Sequence, residues 1–261
     1  MPLDLPGATA DEVRTYYRRI LPFFEQELAG RGDADFWTSA ARAPSGCRVL
    51  ELGAGTGRAT AFLARTAGRV VAFDLSMDLI AVARRRLARA ANVRLLVADM
   101  REVALGEEMD LVVAVDDPFV HLTGEADRAR AFSVAARHLA PGGRFLLDAA
   151  WLPPRRRAAA GRSGGLVLDH SSPSGLGALR VRETWRCDPD TRLCTACFEY
   201  RVGSRAVERA CFAARLWSMD EVEDRAHAAG LRVTRVWGDY DRRSWDRATS
   251  PRLLVEMGRD L

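Results

Sequence analysis

The stretch Val49-Leu50-Glu51-Leu52-Gly53-Ala54-Gly55-Thr56-Gly57 decides the fold of this 261-residue chain. A short apolar run that contains one acid predicts a buried parallel strand, and glycine at every second position predicts a tight turn after it. Glycine suits this turn because it lacks a Cβ, so its backbone can turn sharply and approach a ligand closely. The stretch therefore predicts a strand that leads into a ligand-binding loop.

A second strand follows at a distance that is typical of a nucleoside-binding unit. The apolar run Val70-Val71-Ala72-Phe73 ends at Asp74, 21 residues after Gly53. In a strand–loop–helix–strand unit, an acid at this point accepts hydrogen bonds from the hydroxyls of a ribose. The pattern predicts that the chain binds a nucleoside through the glycine loop and Asp74.

The spacing of the glycines separates two classes of cofactor. A dinucleotide-binding loop, G-x-G-x-x-G, needs its third glycine at position 58, where this chain has Arg58. The sequence E-x-G-x-G-x-G, which begins at Glu51, instead resembles motif I of the class I S-adenosylmethionine (SAM) methyltransferases. That resemblance implies a doubly wound, Rossmann-like, seven-stranded α/β sheet, SAM as the cofactor, and transfer of its methyl group to an acceptor.

Further landmarks of the same family follow along the chain. The resemblance implies that Asp99, at the end of a third strand, hydrogen-bonds the adenine amino group and that Met100 covers the ring. It also implies that a fourth strand, Met109–Val115, ends beside the transferred methyl group. A turn at Pro141-Gly142-Gly143 is expected to separate a helix from strand five. The cofactor contacts that the resemblance implies are Tyr17, Glu51, Gly53, Ala54, Gly55, Gly57, Asp74, Leu75, Asp99, Met100 and Val115.

The chain is predicted to have three parts. They are an N-terminal helical lid (1–37), a SAM-binding α/β core (38–152 and 216–261) and an antiparallel β insertion that forms the acceptor pocket (153–215). Within the lid, helical spacing over 11–29 predicts a helix that Pro22 kinks or divides. Within the insertion, residues 158–177 are rich in Gly, Ser and Ala and predict a loop.

His121, Asp116 and Asp117 are the candidate catalytic residues, because they follow the fourth strand, where the resemblance places the methyl group. The unperturbed pKa of histidine, about 6.5, suits a base that takes a proton from the acceptor at neutral pH. One of the two carboxylates is expected to orient an acceptor amine, while the other only caps the turn at Pro118. We therefore expect methyl transfer to a nitrogen or oxygen atom of a small molecule.

Three other functions remain open from the sequence. Asp116-Asp117-Pro118-Phe119 partly resembles the Asp/Asn-Pro-Pro-aromatic motif of methyltransferases that act on nucleobase amino groups, although Asp117 replaces the first proline. The second alternative is an enzyme that binds SAM and catalyses a non-methylating reaction. The third is a non-catalytic homologue, against which the intact glycine loop and Asp74 argue.

Charge and composition exclude some partners. The net charge is +4, and all 39 basic residues are arginine. The runs Arg84–Arg86 and Arg155–Arg157 predict solvated surface rather than a track for nucleic acid, which would gather charge on one face. No apolar run is long enough to span a membrane. We expect a small-molecule acceptor, no nucleic-acid or membrane partner, and a homodimer as one possible assembly.

The five cysteines and the N-terminus bear on the compartment. Met1–Pro6 lacks the basic and apolar regions of a secretory signal, so a cytoplasmic location is expected. Cys194 and Cys197 lie in a predicted strand, where residues three apart point to opposite faces. With no second close Cys or His pair, a zinc site is not expected. We expect neither metal nor a disulfide framework, and treat the cysteines as small buried apolar residues.

Overall fold

The computed structural model describes residues 9–28, 30–43, 46–162, 165–172 and 179–259. The helices are α1 (Ala10–Glu27), α2 (Ala34–Ala40), α3 (Arg58–Leu63), α4 (Met77–Arg86), α5 (Glu125–Arg137), α6 (Pro154–Ala160) and α7 (Met219–Ala228). The strands are β1 (Cys47–Leu52), β2 (Ala67–Asp74), β3 (Val93–Val97), β4 (Met109–Ala114), β5 (Leu139–Ala149), β6 (Leu166–Ser172), β7 (Leu179–Cys187), β8 (Leu193–Val202), β9 (Arg205–Arg215), β10 (Leu231–Trp237) and β11 (Leu253–Arg259). A turn of 3-10 helix spans Pro118–His121.

The described residues divide into two compact units. The first contains α1, His121–Thr123 and the insertion Leu152–Leu216. The second contains Gly32–Val120, Gly124–Trp151 and Trp217–Leu261. The predicted lid is therefore split, because α1 belongs to the first unit and α2 to the second.

The second unit is built on a seven-stranded sheet in the order β10-β11-β5-β4-β1-β2-β3. β1 pairs in parallel with β2 and β4, while β11 is antiparallel to both β5 and β10. The central strands are mostly apolar because parallel sheets are covered on both faces; Val49, Val70, Leu111 and Val113 are fully buried. The predicted doubly wound fold is confirmed.

The pairing places the ends of β1, β2 and β4 at one edge of this sheet. Ligands of open α/β sheets bind at the carboxyl ends of such strands. Helix α4, which follows β2, begins after Ser76, whose side chain caps the helix by accepting a hydrogen bond from the Leu79 N–H. The fold thus brings the predicted cofactor residues of this unit to one edge.

Helix α1 is continuous, so Pro22 does not divide it, and the alternative of a kink at Pro22 stays a prediction. Thr9 and Glu12 form a capping box at its start, and Pro22 lies inside the helix. A proline in a helix removes one backbone hydrogen bond and costs about 3 kcal/mol. Helix α1 packs against β7 and β9. Its Tyr16 and Ile20 side chains are buried in a hydrophobic cluster with residues of these strands, and this burial offsets the cost of the proline.

The first unit contains an antiparallel sheet in the order β6-β7-β8-β9, which confirms that the insertion is antiparallel. The predicted loop over 158–177 is wrong in part, because its first residues belong to α6 and Leu166–Ser172 forms β6. Small residues in this segment favour a loop by propensity, but pairing with β7 fixes the strand. Residues 163–164 and 173–177 of the predicted loop lie outside the described residues.

The prediction for the cysteines is also wrong. Disulfides join Cys187 to Cys194 and Cys197 to Cys211, and Cys47 is the one free cysteine of the chain. The two cysteines of β8 do point to opposite faces, but each is directly opposite a cysteine of a different neighbouring strand. The disulfides could not be predicted from β8 alone, because they depend on its pairing with β7 and β9.

Strand five begins earlier than predicted. α5 ends at Arg137 and β5 begins at Leu139, so Pro141-Gly142-Gly143 lies within the strand. The register between β4 and β5 shifts between Met109 and Leu111, which accommodates these residues as an irregularity. Among the helices described, none is long and apolar enough to cross a membrane.

Candidate functional site

The glycine loop after β1 has the conformation that its sequence predicts. Gly53, Gly55 and Gly57 have φ of +74°, +56° and +77°, which residues with a Cβ rarely adopt. The backbone N–H groups of Gly53 and Ala54 donate to the Phe73 carbonyl at 3.0 and 2.9 Å. The loop is therefore fastened to the end of β2.

Two glycines of this loop, Gly53 and Gly57, approach protein atoms closely. A Cβ on Gly53 would lie 2.3 Å from the Pro118 Cβ, and one on Gly57 would lie 2.9 Å from a Leu87 methyl. The sequence led us to expect close approach to a ligand. The structure adds a packing reason, and the approach to a ligand stays a prediction: the loop contacts the strand-four turn at one end and α4 at the other.

Arg58 stands where a dinucleotide-binding loop has its third glycine. Its guanidinium forms two hydrogen bonds with the buried carboxylate of Asp33, Nη1 to Oδ1 at 2.6 Å and Nη2 to Oδ2 at 2.8 Å. Such bidentate pairs are strong and directional. The pair joins the start of α3 to the start of α2.

Asp74 lies at the end of β2 and contacts the glycine loop directly. The Gly55 N–H donates to Oδ2 at 2.9 Å and the Ser76 N–H donates to Oδ1 at 2.8 Å. Burial raises the pKa of this carboxyl. Each carboxylate oxygen can accept a second hydrogen bond, so Asp74 can hold the loop and still accept from ribose hydroxyls. Leu75 follows it between β2 and the Ser76 cap.

Asp99 and Met100 follow β3, as predicted. The Asp99 carboxylate pairs with Arg101, with Nη2 to Oδ2 at 2.5 Å, and Arg101 also pairs with Asp127 at 2.9 Å. The Met100 Cε would lie 3.7 Å from a Cβ on Gly53. Met100 is therefore beside the glycine loop, where it could cover a ring, and Asp99 is held by an arginine that the sequence did not single out.

Glu51 is buried at the end of β1. Its Oε2 accepts a hydrogen bond from the Thr60 hydroxyl at 2.6 Å. Burial raises the pKa of Glu51 to about 8. A cation beside this carboxyl would stabilise its charged form, which suits the positively charged methionine part of SAM.

The turn after β4 carries Val115, which is buried, and the two predicted carboxylates. Asp116 and Asp117 both have positive φ, +60° and +42°. Two successive non-glycine residues in this region are a strained arrangement that occurs mainly at functional sites. The Asp116 N–H donates to Asp148 Oδ2 at 3.2 Å.

Asp117 is the residue that caps the turn. Its Oδ1 accepts from the Phe119 N–H at 3.1 Å, and its Oδ2 accepts from the Ala150 N–H at 2.7 Å and the Trp217 indole N–H at 2.9 Å. The residue is 3% exposed, and burial raises its pKa to about 7. These contacts tie the tips of β4 and β5 together and favour a structural role over contact with an acceptor.

A network that the sequence analysis did not predict supports the same turn. Asp148 Oδ2 accepts a hydrogen bond from the Tyr240 hydroxyl at 2.6 Å, and the Arg252 guanidinium lies 4.3 Å above the Tyr240 ring. Asp148 thus joins the turn after β4 to the loop after β10. The sequence Gly238-Asp239-Tyr240-Asp241 predicts a turn, but its residue types do not indicate that Tyr240 contacts Asp148.

In the first unit, His121 lies 2.8 Å, Nε2 to hydroxyl, from Tyr17. His121 is 7% exposed, and burial lowers its pKa to about 4. Its Nδ1 is buried without a hydrogen-bond partner among the described residues. The rings of Phe212 and Tyr16 lie 4.7 and 6.3 Å from the imidazole. Tyr17, predicted as a cofactor contact, is therefore a partner of His121.

No group of three or more His, Cys, Asp or Glu residues that could hold a metal ion occurs in the part of the chain that the structure describes. The acidic residue at the end of β2, the positive-φ glycine loop and the buried acid of β1 fit SAM. Residues Asp74, Glu51, Asp99 and Met100 would hold it. When bound, SAM supplies the methyl group on a sulfonium leaving group.

Comparison with known proteins agrees with this geometry. Residues 49–143 match the family model described as "Methyltransferase domain". The cypemycin N-terminal methyltransferase of Streptomyces sp is 30% identical over 85% of this chain and 87% of its own length. A dTDP-3-amino-3,6-dideoxy-alpha-D-glucopyranose N,N-dimethyltransferase of Streptomyces fradiae is 30% identical over 56% of this chain and 59% of its own length. The match thus spans little more than half of this second relative.

The fold is also that of a solved relative. SAM-bound CalS10, an amino pentose methyltransferase from Micromonospora echinaspora, superimposes with a TM-score of 0.72 at 23% identity, over 91% of this chain and 95% of that chain. The chain belongs to the class I SAM-dependent methyltransferases. The cofactor predicted from the glycine loop, SAM, is confirmed.

Proposed function

We propose that this enzyme transfers the methyl group of SAM to the nitrogen of a small-molecule amine. The observation that carries the proposal is the buried, neutral His121 with an unpartnered Nδ1 and a tyrosine hydroxyl at its other nitrogen. The named relatives support it, because one acts on an amino sugar and another on an N-terminus.

The surroundings of His121 favour an uncharged amine. An amine attacks the methyl carbon through its lone pair, so it must arrive unprotonated. Burial disfavours the charged form of His121, and the same burial would disfavour an ammonium group. A site of this kind would therefore bind the neutral amine that the reaction needs.

We propose that His121 positions the amine by hydrogen bonding. With a pKa of about 4, its imidazole is too weak a base to take a proton from an alkylammonium ion. Its Nδ1 lone pair can accept a hydrogen bond from the N–H of a neutral amine, provided that Nε2 carries the proton. Tyr17 would favour this tautomer by accepting from Nε2–H. The proton released after methylation would pass to solvent.

Residues 153–215, with α1, are proposed to bind the acceptor. Three aromatic rings of this unit, those of Tyr16, Tyr17 and Phe212, lie 4.7 to 6.3 Å from the His121 ring, and aromatic side chains commonly line small-molecule sites. Asp116, in the turn after β4, is proposed as a functional residue of the second unit. The strained backbone at this residue supports that proposal.

The test is a screen of amines and alcohols for SAM-dependent release of S-adenosylhomocysteine, with the product identified by mass spectrometry and NMR. For the amine that reacts, Tyr17→Phe and His121→Asn should lower kcat/KM at least about tenfold, while SAM affinity changes little. His227→Asn, at an exposed position on α7, is the matched control. A methylated oxygen in the product, or unchanged kinetics in both variants, would contradict the proposal.

A nucleobase amino group is less well supported as the acceptor. In the Asp/Asn-Pro-Pro-aromatic motif of methyltransferases that act on nucleobases, the aromatic residue stacks on the base. Phe119 is fully buried and packs against Phe132 and Phe145 at centroid distances of 5.8 and 6.2 Å. Absence of S-adenosylhomocysteine with every acceptor, in a protein that binds SAM, would favour non-methylating chemistry or a non-catalytic homologue.

The compartment and assembly stay predictions. The two disulfides are typical of oxidising environments and count against a cytoplasmic location. Fractionation of the producing cells tests the location, and sedimentation tests the predicted homodimer.

A further inference from the structure

A cavity lies on one face of the seven-stranded sheet. Its volume is about 270 Å³, and Arg144, Arg235 and Arg242 line it. Phe36 and Trp237 contribute aromatic surface. The residues that line it in the described chain include none of the cofactor contacts named above.

The sheet register turns Arg235 towards this cavity. Val233 is opposite Met257, but Arg235 is opposite Glu256, so Thr234 is an extra residue that forms a bulge. In a regular ladder Thr234 would lie opposite Glu256 and Arg235 would point to the other face. Bulges that re-aim a side chain are common beside functional sites. The bulge therefore places Arg235 on the face that carries Glu256.

One buried carboxylate faces two of the arginines. The Glu256 side chain is 7% exposed; Arg144 Nη1 donates to its Oε2 at 3.2 Å, and Arg235 Nη1 lies 3.7 Å from its Oε1. The Thr234 hydroxyl donates to Oε1 at 3.2 Å. Glu256 is thus fully engaged and neutralises only one of the two positive charges.

Arg242 adds a third guanidinium group. It donates from Nη2 to the Ser39 hydroxyl at 2.6 Å and lies 5.0 Å above the Phe36 ring. It forms no ion pair with an acidic residue in the described chain. Three guanidinium groups and one carboxylate leave two positive charges, and the Arg235 side chain is 66% exposed, so its donors are accessible from solvent.

We propose that this cavity binds a phosphate dianion, either free or carried by an aromatic or heterocyclic molecule. A dianion matches the surplus of two positive charges. Guanidinium groups present paired N–H donors that fit the oxygens of a phosphate. The Trp237 ring, which is only partly buried, offers apolar surface on which a planar group of the ligand can pack.

The experiment is calorimetric titration of the full chain with inorganic phosphate and with phenyl phosphate. Arg235→Ala and Arg242→Ala should each raise the Kd at least about tenfold, since each removes a charged donor. Glu256→Gln should lower the Kd, because it removes the competing negative charge. Arg85→Ala removes an exposed arginine from α4, outside the cavity, and is the matched control. SAM titration of every variant checks that the cofactor unit is folded.

The outcomes separate the two sources of phosphate. Tighter binding of phenyl phosphate than of inorganic phosphate assigns the cavity to a ring-bearing phosphate, and equal binding assigns it to free phosphate. Absence of saturable binding of both probes at millimolar concentration would overturn the proposal. Equal weakening by Arg85→Ala would also overturn it, because attraction would then come from overall charge. These results do not depend on the identity of the methyl acceptor.

Discussion

Gly53 is the residue at which the cofactor loop meets the turn after β4. A Cβ at this position would lie 2.3 Å from the Pro118 Cβ, in addition to the strain of φ +74°. We expect Gly53→Ala to displace Pro118, to lower the free energy of unfolding by about 2–4 kcal/mol and to weaken SAM binding. Denaturant unfolding and SAM titration measure the two effects.

Gly106 is the matched control for this substitution. Its φ is +68°, and a Cβ there would have no atom within 4 Å. Gly106→Ala should cost only about 1–2 kcal/mol, the strain of the left-handed backbone, and should leave SAM affinity unchanged. Equal effects of the two substitutions would show that contact with Pro118 has no role.

Glu51 predicts a proton linkage to cofactor binding. Because its pKa is about 8 in the absence of SAM, the carboxyl is mostly protonated at pH 7. A bound cation would lower that pKa, so SAM binding should release close to one proton at pH 7, and fewer above pH 8. Calorimetry in buffers of different ionisation enthalpy measures the number. Glu51→Gln should abolish the release; a wild-type heat that is independent of the buffer would contradict the assignment.

The sequence predicted which residues belong to the candidate site, but not which residues they would contact. Asp74, Glu51 and the glycines could be predicted because their chemistry is set by local spacing. The sequence could not separate Asp116 from Asp117, since the contacts of Asp117 with Ala150 and Trp217 join residues far apart in the chain. The contact of Tyr17 with His121 could not be predicted either, because it spans 104 positions.

Among the elements, α1 is the one whose sequence conflicts most with its structure. Pro22 lies inside it, where it removes a backbone hydrogen bond and crowds the preceding turn. Pro22→Ala should therefore raise the free energy of unfolding by about 1–3 kcal/mol, measured by thermal or denaturant unfolding. A loss of stability would instead mean that packing of α1 on β7 and β9 depends on a bend at Pro22.

Two strands, β5 of the seven-stranded sheet and β6 of the insertion, show where local patterns fail. Pro141-Gly142-Gly143 predicts a turn by propensity, yet the register shift between β4 and β5 places these residues within a strand. β6 contains Ser and Asp in a segment that favours a loop, and its ladder with β7 decides its structure. In both cases pairing with another strand outweighs the preference of the segment itself.

At the scale of the whole molecule, the two units differ in how far the sequence predicts them. In the second unit strands and helices alternate along the chain. Each apolar run therefore predicts a strand and each capping residue predicts the helix that follows it. The first unit combines α1, the antiparallel insertion and the three residues His121–Thr123, which are separated by long stretches of sequence. The set of segments that forms this unit could not be predicted, because contacts between segments far apart in the sequence define it.

The disulfides of the insertion also determine what a protease can release. Each closes a covalent ring around a hairpin turn, one from Cys187 to Cys194 and the other from Cys197 to Cys211. Trypsin cleavage after the exposed Arg205 would fall inside the second ring. The nicked protein should therefore run as a single band on a denaturing gel without reductant and as two fragments with it. Cys197→Ser should release both fragments without reductant, because the chain around that turn would then be linear.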